Sequence, residues 1–225
     1  MTTTRGLVAL GDSITHGHGE PALGVHAQSW ALWLAEALEL PFTNLAADGA
    51  LAADVLREQV PRLRGPYDVG CVYAGVNDVR VPAFDGSAFE RDLRAIAAAV
   101  GAASGRLVLC TIPADLGRPR AAPKPRQASA IVRRVAADHQ AAVVALDDLA
   151  GAPWLLPDAV HPTALGQLEI ADRAARALAA PRLPSTGVEI HRSRRARARF
   201  AVRFGVMLAS DLRRRAVERL RPQSL

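Results

Sequence analysis

Hydrophobic positions along this chain alternate between short apolar runs and longer segments with helical periodicity. The short runs are flanked by Gly, Pro or Asn, which is typical of buried strands. They predict five strands, at Gly6–Leu10, Phe42–Leu45, Val69–Ala74, Leu107–Ile112 and Ala142–Leu146. The longer segments predict five helices, at Ala27–Leu40, Ala52–Val60, Ser87–Ala103, Gln127–His139 and Ala164–Ala179. Strands that alternate with helices predict an α/β fold of three layers, with helices on both faces of a parallel sheet.

The chain length allows one large core and little more. Half of the 225 residues are hydrophobic, which suits a single domain with an appendage. A break containing Pro, Gly and Ser at residues 181–187 marks the predicted boundary. We therefore expect one globular domain at residues 1–181 and a separate extension at residues 182–225.

The extension differs from the body in charge. The whole chain carries a net charge of +6, yet residues 182–225 hold 12 arginines against three acidic side chains, so the body is slightly acidic. Four apolar side chains of the extension fall on one helical face, namely Phe200, Phe204, Met207 and Leu208. A second basic helix is predicted at Asp211–Arg221. Such a basic amphipathic segment can pack on the body or on a second subunit, or lie on an anionic membrane surface. Nucleic-acid binding is less favoured, because only two aromatic residues interleave the arginines.

The sequence gives no indication of secretion or membrane insertion. No apolar run reaches the roughly 18 residues that span a bilayer, and the apolar segment near the N-terminus is too short for a signal peptide. We expect a soluble, cytoplasmic protein. Cys71 and Cys110 each lie in a predicted strand and are interpreted as inert core thiols.

A serine follows the first predicted strand, in the turn Gly11-Asp12-Ser13-Ile14. Ligands of open α/β sheets bind at the carboxyl ends of the strands, so Ser13 is well placed for a nucleophile. The alternative is that Ser13 or Asp12 only caps a turn or helix.

A serine nucleophile needs a base and a group that orients the base. Asp158-Ala-Val-His161, between two prolines, supplies both: the Asp158 carboxylate can fold back onto Nδ1 of His161 and leave Nε2 for Ser13. The alternative is that Asp158 caps a turn and Thr163 caps the helix that begins at Ala164.

Acyl transfer also needs donors for the developing oxyanion. Gly49 follows the second strand and allows close backbone approach. Asn77, in Gly75-Val-Asn77-Asp78 after the third strand, carries a neutral amide donor. Each is also an ordinary turn feature, since Gly and Asn-Asp are common in turns.

Together, these four blocks resemble the SGNH, or GDSL-type, hydrolase family, in the family's order and over about residues 6–180. The resemblance implies the flavodoxin-like SGNH hydrolase fold, a catalytic triad of Ser13, Asp158 and His161, and an oxyanion hole formed by Ser13, Gly49 and Asn77. The first block has Ile14 where the name-giving pattern has Leu. Asp48 adds a carboxylate beside Gly49, which either disfavours anionic substrates or faces solvent. The chain has no Gly-x-Ser-x-Gly motif, which argues against the larger α/β-hydrolase fold.

We therefore predict a serine-dependent hydrolase of carboxylic esters, acting through an acyl-enzyme on a small-molecule or lipid ester, without cofactor or metal. One alternative is an acyltransferase with the same acyl-enzyme, and another is a membrane-associated or scaffold protein that works through its basic tail. Gly17-His-Gly19-Glu-Pro-Ala22 fits a dinucleotide fingerprint only formally, because Pro21 disrupts the strand–turn–helix context. His16, His18 and His26 are interpreted as loop histidines, because no matching carboxylate spacing accompanies them.

Overall fold

The computed structural model describes residues 5–117 and 120–220, so the last five residues of the extension lie outside it. Five strands form one sheet in the order β2-β1-β3-β4-β5, and every neighbouring pair is parallel. Their bounds are Leu7–Gly11 for β1, Phe42–Asn44 for β2, Tyr67–Tyr73 for β3, Ser104–Cys110 for β4 and Ala142–Val144 for β5. All five predicted strands and the α/β class are confirmed.

Helices cover both sides of this sheet. The helices of the body are α1 at Ser13–His16, α2 at Trp30–Ala37, α3 at Ala52–Asp54, α4 at Gly86–Ala102, α5 at Lys124–Asp138 and α6 at Ala164–Ala177. In the two helix layers, α2 packs beside α6 and α4 beside α5. The core contains every residue of β1 together with the fully buried Trp30 and Tyr73. Burial of this apolar surface, at roughly 25 cal/mol per Å², supplies the main stabilisation of the sheet.

Two predicted helices differ from the structure in instructive ways. The helix predicted from Ala27 begins only at Trp30, because the Ser29 side chain caps it by accepting a hydrogen bond from the Ala31 N–H. The helix predicted at Ala52–Val60 exists, but α3 continues into a π-helical segment at Val55–Gln59 and a 3₁₀ turn at Val60–Arg62. The wider turn brings Gln59 inward, where its side chain is almost completely buried.

The extension forms one long helix, α7, at Arg194–Leu220. The prediction of a second, separate basic helix is wrong: the helix runs without a break through Gly205, whose helix cost of about 1 kcal/mol does not stop it, and Arg221 lies outside the described residues. Phe200, Phe204 and Met207 are partly buried on one face of α7, as predicted, whereas the fourth member, Leu208, is 40% exposed. Within the described residues, no helix has both the length and the hydropathy needed to cross a membrane.

Candidate active site

The site lies at the carboxyl edge of the sheet, on the turn that follows β1. Ser13 is the first residue of α1, and Asp12 caps this helix by accepting a hydrogen bond from the Ile14 N–H at 3.0 Å. Gln59 fixes the end of β1, because its side chain both accepts from the Gly11 N–H and donates to the Gly11 carbonyl. Ser13 is thus held on a rigid turn, with 8% of its surface exposed.

His161 reaches Ser13 from the loop between β5 and α6. Its Nε2 atom lies 3.0 Å from the Ser13 Oγ, and its Nδ1 atom lies 2.7 Å from Oδ2 of Asp158. The other carboxylate oxygen of Asp158 accepts from the backbone N–H groups of Val160 and His161. The loop therefore connects carboxylate, imidazole and hydroxyl in one chain of hydrogen bonds, across 148 residues of sequence.

The Asp158 loop has the turn and cap contacts of one interpretation and the aspartate–histidine contact of the other. Asp158 does order a turn through the Val160 N–H, and Thr163 does cap α6 by accepting from the Gly166 N–H. The same carboxylate also orients His161. Burial would raise the pKa of Asp158, but the hydrogen bonds from the His161 ring and from the Val160 backbone outweigh it and lower that pKa. Asp158 is therefore an ionised acceptor at neutral pH.

Asn77 lies beside the Ser13 turn, at the start of the 3₁₀ turn Asp78–Arg80 that follows β3. Its Nδ2 atom donates to the Ala50 carbonyl at 3.2 Å and lies 3.5 Å from Oδ2 of Asp12. Arg80 donates to the Asn77 Oδ1 at 3.3 Å, which fixes the amide with its nitrogen toward the Ser13 turn. Asp78 joins the same region by accepting from the Ala52 N–H, and burial raises its pKa.

Gly49 lies in the turn after β2, next to the Ala50 carbonyl that Asn77 contacts. Its φ of +73° is in the left-handed region that favours glycine. An added Cβ atom would meet no atom within 4 Å, so the positive φ, rather than contact with neighbouring residues, explains the glycine. The structure thus brings the turns that carry Ser13, Gly49 and Asn77 to one place.

Asp12, next to Ser13, is a strongly perturbed acid. Its side chain is completely buried, and this burial raises its pKa from 3.8 to about 7, although the bond from Ile14 and the proximity of His161 act in the opposite direction. A neutral Asp12 is compatible with negative charge developing at the neighbouring serine. Its capping role, one of the alternatives from the sequence, is also present.

Glutamine 167 was missed by the sequence reasoning, as was Gln59. Gln167 lies on the buried face of α6, accepts from the Trp30 N–H, and donates to the carbonyls of Ile14 and His18, all at 2.9 Å. Both glutamines are polar residues at helical positions that face the core. That mismatch with the hydrophobic pattern is the sequence feature that could have identified them.

His18 and His26 lie in the loop after α1, as interpreted from the sequence, and His16 is the last residue of that short helix. The sequence spacing did not indicate that His16 and His18 share a carboxylate partner. Asp48, from the turn after β2, lies 2.7 Å from Nδ1 of His16 and 3.0 Å from Nε2 of His18. His26 is not part of this group; it contacts Gln28 and Trp33. The Asp48 side chain is half exposed, so it both faces solvent and lies at the edge of the site. Backbone hydrogen bonds also fix the segment after His18. The Glu20 carbonyl accepts from the Ala164 N–H, and Ala22 pairs with Val25.

Comparison with solved structures shows the same fold in several esterases. An acetylxylan esterase from Geobacillus stearothermophilus superposes with a TM-score of 0.60 at 21% identity, covering 86% of this chain and 100% of the esterase. A lipase/acylhydrolase from Enterococcus faecalis gives a TM-score of 0.60 at 20% identity, covering 76% and 93% of the two chains. The α/β hydrolase LAE5 from a metagenome of Lake Arreo, Spain, gives 0.60 at 22% identity, covering 77% and 94%. At these identities, the similarity establishes the fold alone.

The sequence itself establishes the family. No curated protein matches the chain significantly, but the sequence profile of the GDSL-like Lipase/Acylhydrolase family matches residues 9–168, which include the Ser13 turn and the Asp158–His161 loop. This match covers well over half of the chain. The chain therefore belongs to the GDSL-like lipase/acylhydrolase family of enzymes that hydrolyse ester bonds.

Proposed function

We propose that this protein hydrolyses carboxylic esters through an acyl-enzyme on Ser13, with His161 as the base and Asp158 as the group that orients it. The observation that carries the proposal is the continuous set of hydrogen bonds from Asp158 through His161 to the Ser13 Oγ, at 2.7 and 3.0 Å. These are the distances expected of a serine, histidine and aspartate that act together.

In the first half of the reaction, the Ser13 Oγ attacks the ester carbonyl carbon while its proton passes to Nε2 of His161. The imidazolium that forms is stabilised by Asp158 at Nδ1. His161 then returns the proton to the leaving alcohol oxygen as the carbon–oxygen bond breaks. In the second half, water attacks the acyl-serine by the same route, which releases the acid and restores the Ser13 hydroxyl.

The oxyanion of the tetrahedral intermediate requires donors, and three are available. The Ser13 N–H begins α1, where the first N–H groups of a helix have no acceptor within the helix. The Gly49 N–H lies in the neighbouring turn. The Asn77 amide has two N–H bonds, of which one serves the Ala50 carbonyl. Its 3.5 Å contact with Asp12 is long for a hydrogen bond, so we assign the second N–H to the oxyanion.

The similar esterase from G. stearothermophilus gives independent support. Two of its solved structures are catalytic mutants, one with a serine and one with a histidine replaced by alanine. Ser13 and His161 are residues of the same two types, held in contact on the same fold. We accordingly propose a small-molecule carboxylic ester as the substrate of this chain.

The test is covalent labelling together with turnover. A fluorophosphonate probe should label the wild-type chain once, on the peptide that contains Ser13, and Ser13→Ala should abolish both the label and the hydrolysis of p-nitrophenyl acetate. Ser87→Ala, which changes an exposed serine at the start of α4, is the matched control and should behave as wild type. Full turnover by Ser13→Ala would reject the assignment.

We also propose that residues 182–225 form an appendage to a catalytic domain at 1–181, and that α7 makes a peripheral contact with anionic membranes. Val202, Val206 and Val217 are each more than half exposed, and at 100° per residue they lie on one side of the helix with three exposed arginines, Arg195, Arg199 and Arg213. Exposed apolar side chains among arginines favour the interface of an anionic bilayer.

Sedimentation with lipid vesicles tests this contact. The chain should sediment with anionic vesicles at low salt and remain in solution with neutral ones. The double variant Val202→Asp with Val206→Asp should lose the binding while its ester hydrolysis persists. If the wild type ignores anionic vesicles at low salt, the membrane contact is excluded.

A further inference from the structure

Three side chains at the rim of the cleft form a compact group of potential metal ligands. Asp48 contacts Nδ1 of His16 at 2.7 Å and Nε2 of His18 at 3.0 Å, and the two imidazole rings stack with centroids 5.7 Å apart. One ligand atom from each residue lies within 4.8 Å of the others. Among the described residues, this is the one such group of three His, Cys, Asp or Glu.

The backbone beneath both histidines is fixed by hydrogen bonds. The His16 carbonyl accepts from the side chain of Asn44 at 3.4 Å, and the His18 carbonyl accepts from Gln167 at 2.9 Å. The His18 N–H in turn donates to the Ser13 carbonyl at 2.9 Å. These contacts fix the backbone position from which each imidazole extends. Rotation of the side chains is then enough for them to coordinate a bound ion.

Glycine 17 lets both histidines face the same carboxylate. It has a φ of +116°, and an added Cβ atom would lie 3.1 Å from the Ser29 N atom. The left-handed turn at this position reverses the chain between His16 and His18. The carboxylate side is held as well, because the Ala47 N–H donates to the Gly11 carbonyl at 3.2 Å.

We propose that His16, His18 and Asp48 form a binding site for a divalent transition-metal ion, Zn²⁺ above all. Two imidazole nitrogens and one carboxylate oxygen are the donor set of many three-ligand zinc sites, which keep a fourth position open. Each of the three side chains is about half exposed, which gives the ion access and leaves that fourth position to solvent.

This site adjoins the Ser13–His161 pair without including it. The ring of His18 lies 6.0 Å from the ring of His161, but both nitrogens of His161 are engaged, one with Ser13 and one with Asp158. His161 is therefore not a ligand, and the metal site does not depend on the proposed function. Zn²⁺ binding and ester hydrolysis can be measured separately.

Calorimetric titration of Zn²⁺ into the full chain, purified without a polyhistidine tag, tests the site. Wild type should bind one ion per chain. His16→Ala, His18→Ala and Asp48→Asn should each weaken binding by about 100-fold or more, since loss of even an outer-shell partner typically costs about 10- to 100-fold. The matched control is His139→Ala, which removes a histidine that precedes β5 at the opposite edge of the sheet and should bind as wild type.

Two results would overturn the proposal: no Zn²⁺ binding by wild type, or binding that all three ligand variants retain. Thermal unfolding in EDTA checks that the variants are folded. Should a variant fail to fold, the absorption spectrum of the wild-type chain with Co²⁺ decides instead. Intense visible bands of a four-coordinate ion support the site, and the weak spectrum of hydrated Co²⁺ rejects it.

Discussion

Two aspartate–histidine pairs lie near Ser13, and they share a hydrogen-bond length while differing in surroundings. Asp158 and His161 are 2.7 Å apart, with about a quarter of each side chain exposed, and the imidazole is directed at the Ser13 hydroxyl. Asp48 and His16 are also 2.7 Å apart, but about half of each side chain is exposed, and the second histidine in reach is His18. Distance alone therefore does not define a catalytic pair.

What separates the two pairs is the third group and the degree of burial. A hydroxyl at the free nitrogen gives the Asp158–His161 pair a proton to accept, and partial burial strengthens the interaction with the carboxylate. The Asp48 carboxylate instead contacts a second imidazole, that of His18. The result is a group of potential metal ligands. The difference in surroundings supports the two proposals made above, proton transfer for the Asp158–His161 pair and cation binding for the Asp48 pair.

The largest difference between the pairs should be in kcat when His161 or His18 is replaced. His161→Ala removes the base, so kcat for p-nitrophenyl acetate should fall by about 10⁴- to 10⁶-fold. His18→Ala, measured in EDTA, should leave kcat within about threefold, because His161 shares its hydrogen bonds with Ser13 and Asp158 and its ring lies 6.0 Å from that of His18. Steady-state kinetics of both variants checks this. Equal losses would show that the two histidines belong to one catalytic unit.

Replacement of Asp158 should lower kcat more than replacement of Asp48, by a smaller factor than for the histidines. In Asp158→Asn, the amide donates to Nδ1 and holds the His161 ring in the wrong tautomer, which should lower kcat by about 10⁴-fold. Asp48→Asn should change kcat by less than about threefold when EDTA is present. Kinetics at pH 7.5 with both variants tests the difference. A large loss in Asp48→Asn alone would reverse the assignment of the two pairs.

The sequence indicated one pair and missed the other for a physical reason. Asp158 and His161 are three residues apart in a loop bounded by prolines, so local geometry determines their contact. Asp48 and His16 are 32 residues apart and meet because two different strands end at the same sheet edge. The neighbouring positions of β1 and β2 in the sheet predict that their loops lie together. They do not predict the directions of the side chains on those loops.

The fold was easier to predict than the groups that support the site. Apolar runs such as Val69–Ala74 identified the strands because both faces of a parallel sheet are buried. Gln59 and Gln167 give a weaker signal, a polar residue at a core-facing helical position, because glutamine on a helix usually faces solvent. The length of α7 was underestimated because Gly205 lowers helix propensity, yet the segments on both sides of it continue the helix.

Loss of an oxyanion donor should have a smaller effect than loss of either member of the catalytic pair. Asn77→Ala removes the amide but leaves Ser13, His161 and Asp158 in place, so kcat should fall by about 10²- to 10³-fold with little change in KM. A ground-state contact would instead raise KM. If kcat of Asn77→Ala matches wild type, the oxyanion hole consists of backbone groups without this side chain.

A third aspartate sharpens the comparison because it is buried without a histidine bonded to it. Burial raises the pKa of Asp12 to about 7, so the folded chain keeps a proton between about pH 4 and 7 that the unfolded chain has lost. Stability should therefore fall as pH rises through this range and level off above it, by a total of up to about 4 kcal/mol. Asp12→Asn should remove this dependence. Urea unfolding at pH 5 and pH 8 measures it, and an unchanged slope in the variant would contradict the assignment.

The smallest effect should be the change in the free energy of unfolding when the exposed Asp48–His16 pair is broken. The hydrogen bond from His16 lowers the pKa of Asp48, so the stabilisation is present above the ordinary carboxyl pKa of 3.8 and is lost as pH falls through the lowered value. Because the pair is half exposed, Asp48→Asn should change the free energy of unfolding at pH 7 in EDTA by less than about 1 kcal/mol, and less still in 1 M salt. Urea unfolding at two salt concentrations measures both values. A loss of several kcal/mol that salt does not reduce would mean that Asp48 is a structural residue, and that the contrast in burial does not separate the two pairs.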